Sequence, residues 1–247
     1  MQKQGNSETE QYVKPRRRGV GLLARCLAAA ALVLAMTAAR PAEAVENDFQ
    51  AWTPVYLNLA FNEKFLGWYE VQPRFSDAGV SQLLLRTAVG YRFAKNASAW
   101  FGYAWTPSIE PQYRTENRIF QQLVMGGDFS FGKIMSRTRL EQRWIGETSG
   151  VALRFRTLLR DQVNISDDGK WRAVVQDEIF FNLNSPTGGP QAGFNQNRFF
   201  VGLNRLVNQN LHIDFGYQMQ LLNRRGPGQS DKINHILLVQ FFFDAAL

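Results

Sequence analysis

The side chains best placed to do chemistry are Arg137, Arg139, Glu141 and Arg143, on every second position, with Thr138, Leu140, Gln142 and Trp144 between them. A strand turns successive side chains to opposite faces, so three guanidiniums and one carboxylate would share a single face. On a helix the same four charges would wind most of the way round the axis. Other segments extend this charged face to Arg74, Arg86, Arg92, Arg118, Arg154, Arg156, Arg160 and Arg198, with Glu70, Glu116, Glu178 and Asp214 as further acids. Eleven arginines then stand against five carboxylates, an excess of six positive charges where field lines would focus. Two outcomes are open. Rings of arginine could line a pore that favours anions, or arginines and carboxylates could form a hydrogen-bonded network that fills a narrow barrel and stiffens it.

Catalysis is the reading from a different class. A lipid- or lipopolysaccharide-modifying enzyme would need a nucleophile with a base, or a metal. The histidines are His212, beside Asp214 on one strand face, and His235 near the outer end of the last strand, and no serine lies close to His212 in sequence. Glu141 and Glu178 would be held ionised by the arginines around them, a poor state for general acid work. No phosphate-cradling glycine loop and no metal-ligand spacing is present, so no catalytic residue, metal or cofactor is assigned. Arg114 and Arg224-Arg225 lie in long connectors, where they could meet lipopolysaccharide phosphates or simply be solvated.

The elements that must position these charges are segments of about ten alternating residues separated by turn residues, the pattern of a transmembrane barrel. They run Phe49 to Phe61, Phe65 to Phe75, Gln82 to Phe93, Ala97 to Thr106, Asn117 to Phe129, the arginine segment around 136–145, Leu153 to Ile165, Trp171 to Leu183, Asn195 to Leu206, Leu211 to Gln220 and Ile233 to Phe243. Apolar residues such as Leu57, Val89 and Phe215 occupy the alternate positions, so the expected barrel is greasy outside and charged inside. Only Arg172 and Arg205, near strand ends, are expected off the inward face. Tight turns at residues 62–64, 94–96, 132–133, 167–170 and 208–210 alternate with long Pro/Gly-rich loops, and four of these five turns carry lysine. Short turns in the periplasm and long loops outside is the outer-membrane arrangement. Eleven segments are countable, whereas single-chain bacterial barrels usually have an even number. The expectation is therefore an all-β transmembrane antiparallel up-and-down barrel of 10–12 strands. Twelve is favoured, with a strand hidden in Pro107 to Glu116 or an unusual entry of the first segment. Adjacent Asp177 and Glu178 imply a bulge, since one would otherwise face lipid. Trp52, Trp105, Trp144 and Trp171 are candidates for interfacial girdles. Val239, Phe241, Phe243, Ala245 and Leu247 alternate to the last residue, like the terminal assembly signal of outer-membrane barrels.

The first 44 residues differ from the rest. Lys14 and Arg16-Arg17-Arg18 form a basic region, Leu27 to Ala39 a short apolar one, and Ala42-Glu43-Ala44 a small-x-small cleavage pattern. An apolar run this short does not span a hydrocarbon core of ~30 Å. A cleavable signal peptide over 1–44 and a barrel over 45–247 follow. Without the leader the chain has 21 Lys/Arg against 18 Asp/Glu, so its basicity comes largely from the discarded segment and argues against nucleic acid. Cys26 falls in the leader, so the remainder has no thiol.

Asp48-Phe49-Gln50-Ala51-Trp52-Thr53, Arg139-Leu140-Glu141-Gln142-Arg143, Arg154-Phe155-Arg156, Asp177-Glu178-Ile179-Phe180 and Asn195-Gln196-Asn197-Arg198 occur in this order. In that order the chain resembles an uncharacterised family of Gram-negative outer-membrane barrels, the domain of unknown function numbered twenty-four ninety. The resemblance covers nearly the whole chain after the leader and implies an outer-membrane barrel, but no activity, ligand or catalytic residue. Expected partners are outer-membrane lipid and lipopolysaccharide, the barrel-assembly machinery during insertion, and small anionic solutes. A monomer is expected.

Overall fold

The structure is a computed structural model and describes residues 45–224 and 230–247. The signal peptide expected over 1–44, and Arg225 with Gly226-Pro227-Gly228, lie outside the described residues. The described residues form twelve strands: β1 (Glu46–Trp52), β2 (Val55–Ala60), β3 (Phe65–Ser76), β4 (Gly79–Ala94), β5 (Ala97–Trp105), β6 (Glu116–Phe129), β7 (Gly132–Ile145), β8 (Ala152–Asn164), β9 (Trp171–Asn182), β10 (Gly193–Asn208), β11 (Leu211–Leu222) and β12 (Lys232–Ala246). No helix among them is long and apolar enough to cross a membrane.

Strands β2 to β12 close a ring of eleven. Each pairs antiparallel with its chain neighbour, and β12 then joins β2 in parallel. β1 is the additional strand, parallel to β12 on the edge that β2 also uses. Its register explains why the two are separate. Trp52 faces Leu238 and Val55 faces Phe241, an advance of three residues on both strands, so β1 and β2 are collinear. Between them lies Pro54, and across from Thr53 lies Pro73, neither with an N–H to give. The ladder there keeps only Thr53 N to Pro73 O at 3.2 Å and Phe241 N to Pro54 O at 2.9 Å.

This corrects three expectations. The ring has eleven strands rather than the favoured twelve, and its closure is parallel, because an odd up-and-down meander brings its first and last strands together pointing the same way. The connector from Pro107 to Glu116 hides no extra strand, only bridges from Ser108 to Gln82 and Arg114, so of the two alternatives it is the unusual entry of the first segment, split into β1 and β2, that holds. The pairing of Asp177 with Phe199 and Leu159 is regular, so there is no bulge at that site. The register shift falls instead between Phe194 and Gln196 of β10. Asp177 consequently points outward, where its carboxylate accepts a hydrogen bond from Asn197 Nδ2 at 2.7 Å.

The alternation of the two faces is the reverse of a water-soluble sandwich. Outward positions include Phe49, Val89, Leu159 and Leu237, each more than half exposed. Inward positions include Arg139, Glu141 and Asp214, each at most 1 % exposed. The turn between β8 and β9 is closed locally: Ser166 Oγ donates to Asp168 Oδ1 at 2.7 Å and Lys170 N donates to it at 3.0 Å. Those donors hold the Asp168 carboxyl below its ordinary range. Of the residues expected to form an assembly signal, Val239, Phe241, Phe243 and Ala245 lie on one face of β12, the face that carries Leu237, while Leu247 follows the strand and donates its N–H to Ala60 O at 3.0 Å.

Candidate functional site

The inward faces of β6 to β9 build the centre of the lumen. Pairing sets Arg139 of β7 opposite Gln122 of β6 and Arg156 of β8, and Glu141 opposite Arg154. Glu141 Oε2 accepts from Arg154 Nε at 2.8 Å and Nη2 at 2.5 Å, and Glu141 Oε1 accepts from Arg156 Nη1 at 3.2 Å and Arg139 Nη1 at 3.5 Å. Arg156 bridges onward, donating through Nε and Nη2 to Glu178 at 2.8 and 2.7 Å, and Arg137 Nη2 donates to the same carboxylate at 2.9 Å. Around this pair sit three smaller knots. Glu116 takes Arg118 and Arg143, Glu70 takes Arg86 at 2.7 Å, and Asp214 takes Arg160 at 2.6 Å and Asn204 at 2.7 Å. The planar guanidinium serves two acceptors at once, which is what lets one carboxylate tie several strands together.

Aromatic rings fill the space the charges leave. Phe120, Phe180 and Phe200 are fully buried inside, with Trp52 and Trp68 nearly so. Arg139 lies 4.1 Å from the Phe120 centroid, and Arg156 lies 4.4 Å from that of Phe180. Such contacts stabilise guanidiniums without consuming a carboxylate. Glycines beside the rings make the room: a Cβ at Gly102 of β5 would collide with the Phe120 ring of β6, and one at Gly202 with the ring of Phe200 two residues earlier on β10.

The expected lumenal residues Glu70, Arg74, Arg86, Arg118, Arg137, Arg139, Glu141, Arg143, Arg154, Arg156, Arg160, Glu178 and Arg198 all stand on the inward face. Arg92 is on that face too but is exposed at the turn end, donating to Glu63 O at 2.8 Å. Arg172 proves to be inward as well, correcting its expected exception. It shares the parity of Glu178 and donates to Asn164 and Asn204. Arg205 is outward and stacks on Trp171 at 4.8 Å. Trp52, expected in a girdle, is instead inside at 2 % exposure, whereas Trp144 is outward.

The histidines have separate settings. His212 Nδ1 is 3.1 Å from Asn204 Nδ2, and its ring stacks on Phe242 at 4.5 Å. Its carboxylate neighbour is Asp244 at 3.6 Å, and the adjacent Asp214 is engaged by Arg160 and Asn204. His235 faces outward between the Tyr217 hydroxyl at 2.7 Å and Asn47 at 3.0 Å. Among the described residues no cluster of His, Cys, Asp and Glu could hold a metal ion.

At the long-loop end the lumen widens into a polar vestibule of about 470 Å³, with Trp52 and Arg74 in its lining and Gln82, Ser108, Asn234 and Lys232 around them.

A family model described as a protein of unknown function, DUF2490, matches residues 49–231, from the start of the barrel to the edge of its last strand. The chain belongs to this family. An uncharacterised protein of Methylorubrum extorquens is 33 % identical over 220 residues, covering 86 % of this chain and 95 % of the relative. No solved structure matches the chain. The DUF2490 match thus spans the Arg/Glu/aromatic lumen and all of the strands that build its centre.

Proposed function

We propose that this DUF2490 protein is an outer-membrane barrel whose lumen is filled, so that it acts as a structural barrel rather than an open pore. The observation that carries this reading is the burial of the inner wall at mid-height. Every strand from β3 to β12 contributes an inward residue that is buried, among them Arg139, Glu141, Phe120, Phe180, Phe200 and Ile236. A water-filled channel would leave its wall exposed to the water it carries. The apolar outer face supports placement in lipid. A soluble monomer does not present Phe49, Val89, Phe101, Leu159 and Leu237 to water around a whole circumference. The alternate outward residues at the end of β12 suit recognition by the assembly machinery.

Planar-bilayer recording tests the filled lumen. The expected result is no steady conductance above background from the wild-type protein at any holding potential that the bilayer tolerates. A steady, anion-selective conductance lost in Arg139→Gln would contradict it and restore the anion channel.

A further inference from the structure

Not all the lumenal arginines are matched. Among the described residues Arg74 and Arg198, unlike the arginines around Glu141 and Glu178, form no ion pair with any carboxylate, and both lie against the same ring. Arg74 sits 3.8 Å and Arg198 5.0 Å from the Trp52 centroid. Arg74 gives one Nη to Gln82 Oε1 at 2.6 Å and the other to Gln72 Oε1 at 3.3 Å, both neutral acceptors. Its Nε is buried and has no hydrogen-bond partner. This guanidinium lines the polar vestibule at the long-loop end.

We infer that the vestibule is a binding site for a small oxyanion, a carboxylate or phosphate carried on a polar solute, with Arg74 as its principal donor and Arg198 supporting it through charge. Three features support this. A half-buried guanidinium left on neutral amides, with its Nε buried, retains much of its demand for negative charge, which a carboxylate or phosphate meets with short, charge-assisted bonds. Of the acids on the same wall, Asp48 is already engaged, accepting from Lys232 at 2.9 Å and Gln50 at 2.9 Å, while Glu110 accepts from the neutral Ser76 hydroxyl at 3.1 Å. Lys232 is likewise held between Asp48 and Glu46, at 2.9 and 3.1 Å. The positive charge still open to a ligand is therefore that of the arginine pair. Finally, the volume of about 470 Å³ falls in the range of small-ligand sites, and its amides and hydroxyls suit a hydroxylated body attached to the anion. The inference stands on the vestibule alone and holds whether or not the lumen below it conducts.

Calorimetric titration of the purified, detergent-solubilised protein with inorganic phosphate and with glucose 1-phosphate, at constant ionic strength, tests it. Saturable binding of both is expected, none of glucose, and a loss of about tenfold or more in affinity in Arg74→Gln. Arg92→Gln, at the opposite end, should bind as the wild type does. Gln82→Glu is the decisive variant, because it places a carboxylate where Arg74 already donates. It should abolish phosphate binding while raising the thermal midpoint. No saturable heat from either phosphate compound, or unchanged affinity in Gln82→Glu, would overturn the site.

Discussion

Glu141→Gln is expected to destabilise the barrel by about 3–5 kcal/mol, the largest loss from any single lumenal substitution. The shape barely changes, so the effect is electrostatic. Glu141 is 1 % exposed and receives Arg154 and Arg156, with Arg139 at 3.5 Å. Without its charge, Arg154 keeps no carboxylate, Arg139 keeps only Gln122, and Arg156 keeps Glu178 alone. Buried cations left in this way cost far more than the pair contributes when whole. The pairing also predicts non-additivity. Arg154→Gln added to Glu141→Gln should recover part of the loss, because it removes the guanidinium that depended on that carboxylate. Urea unfolding of the reconstituted protein measures both. A Glu141→Gln midpoint equal to that of the wild type would mean that the network is incidental to folding.

Leu237→Arg is expected to cost about 2–4 kcal/mol in lipid, the other large effect. Leu237 is 63 % exposed on the outer face, well inside β12. In water an exposed leucine exchanged for arginine changes stability little, so the size of this penalty reports the solvent outside rather than packing within. Phe129→Arg, at the turn end of β6, should cost only about 0–1 kcal/mol, because the penalty falls towards the interface. Equal and negligible costs at the two positions would place the outer face in water.

Much of this was legible in the chain because the strand period is 2. Parity alone sets Arg137, Arg139, Glu141 and Arg143 on one face, and the ladder between β7 and its neighbours keeps them there. Where the reading departed from parity it went astray. Arg172 shares the parity of Glu178, and Trp52 stands opposite in parity to Phe49 and Ala51. Both belong inside, although a place near a segment end suggested an exception to the inward face for Arg172 and an interfacial girdle for Trp52. The aromatic filling could also have been anticipated, since Phe120, Phe180 and Phe200 occupy charged-face positions. What alternation cannot carry is closure. The partner of the first strand is nearly 190 residues distant, as in Phe49 with His235, and parallel or antiparallel pairing leaves the same alternation behind. Charge matching is hidden for the same reason. The alternation assigns eleven arginines and five acids to the inward face, but only side-chain geometry shows that Arg74 and Arg198 are left to Trp52 and neutral amides.

The most direct test of the outward apolar face uses single cysteines, since the chain from Val45 onward has none of its own. With Val89, Leu159 or Leu237 replaced by cysteine in protein reconstituted into liposomes, a water-soluble maleimide should leave all three unlabelled while modifying Asn96→Cys in the turn between β4 and β5. Labelling of the three outer-face positions as fast as that of the turn would contradict the account.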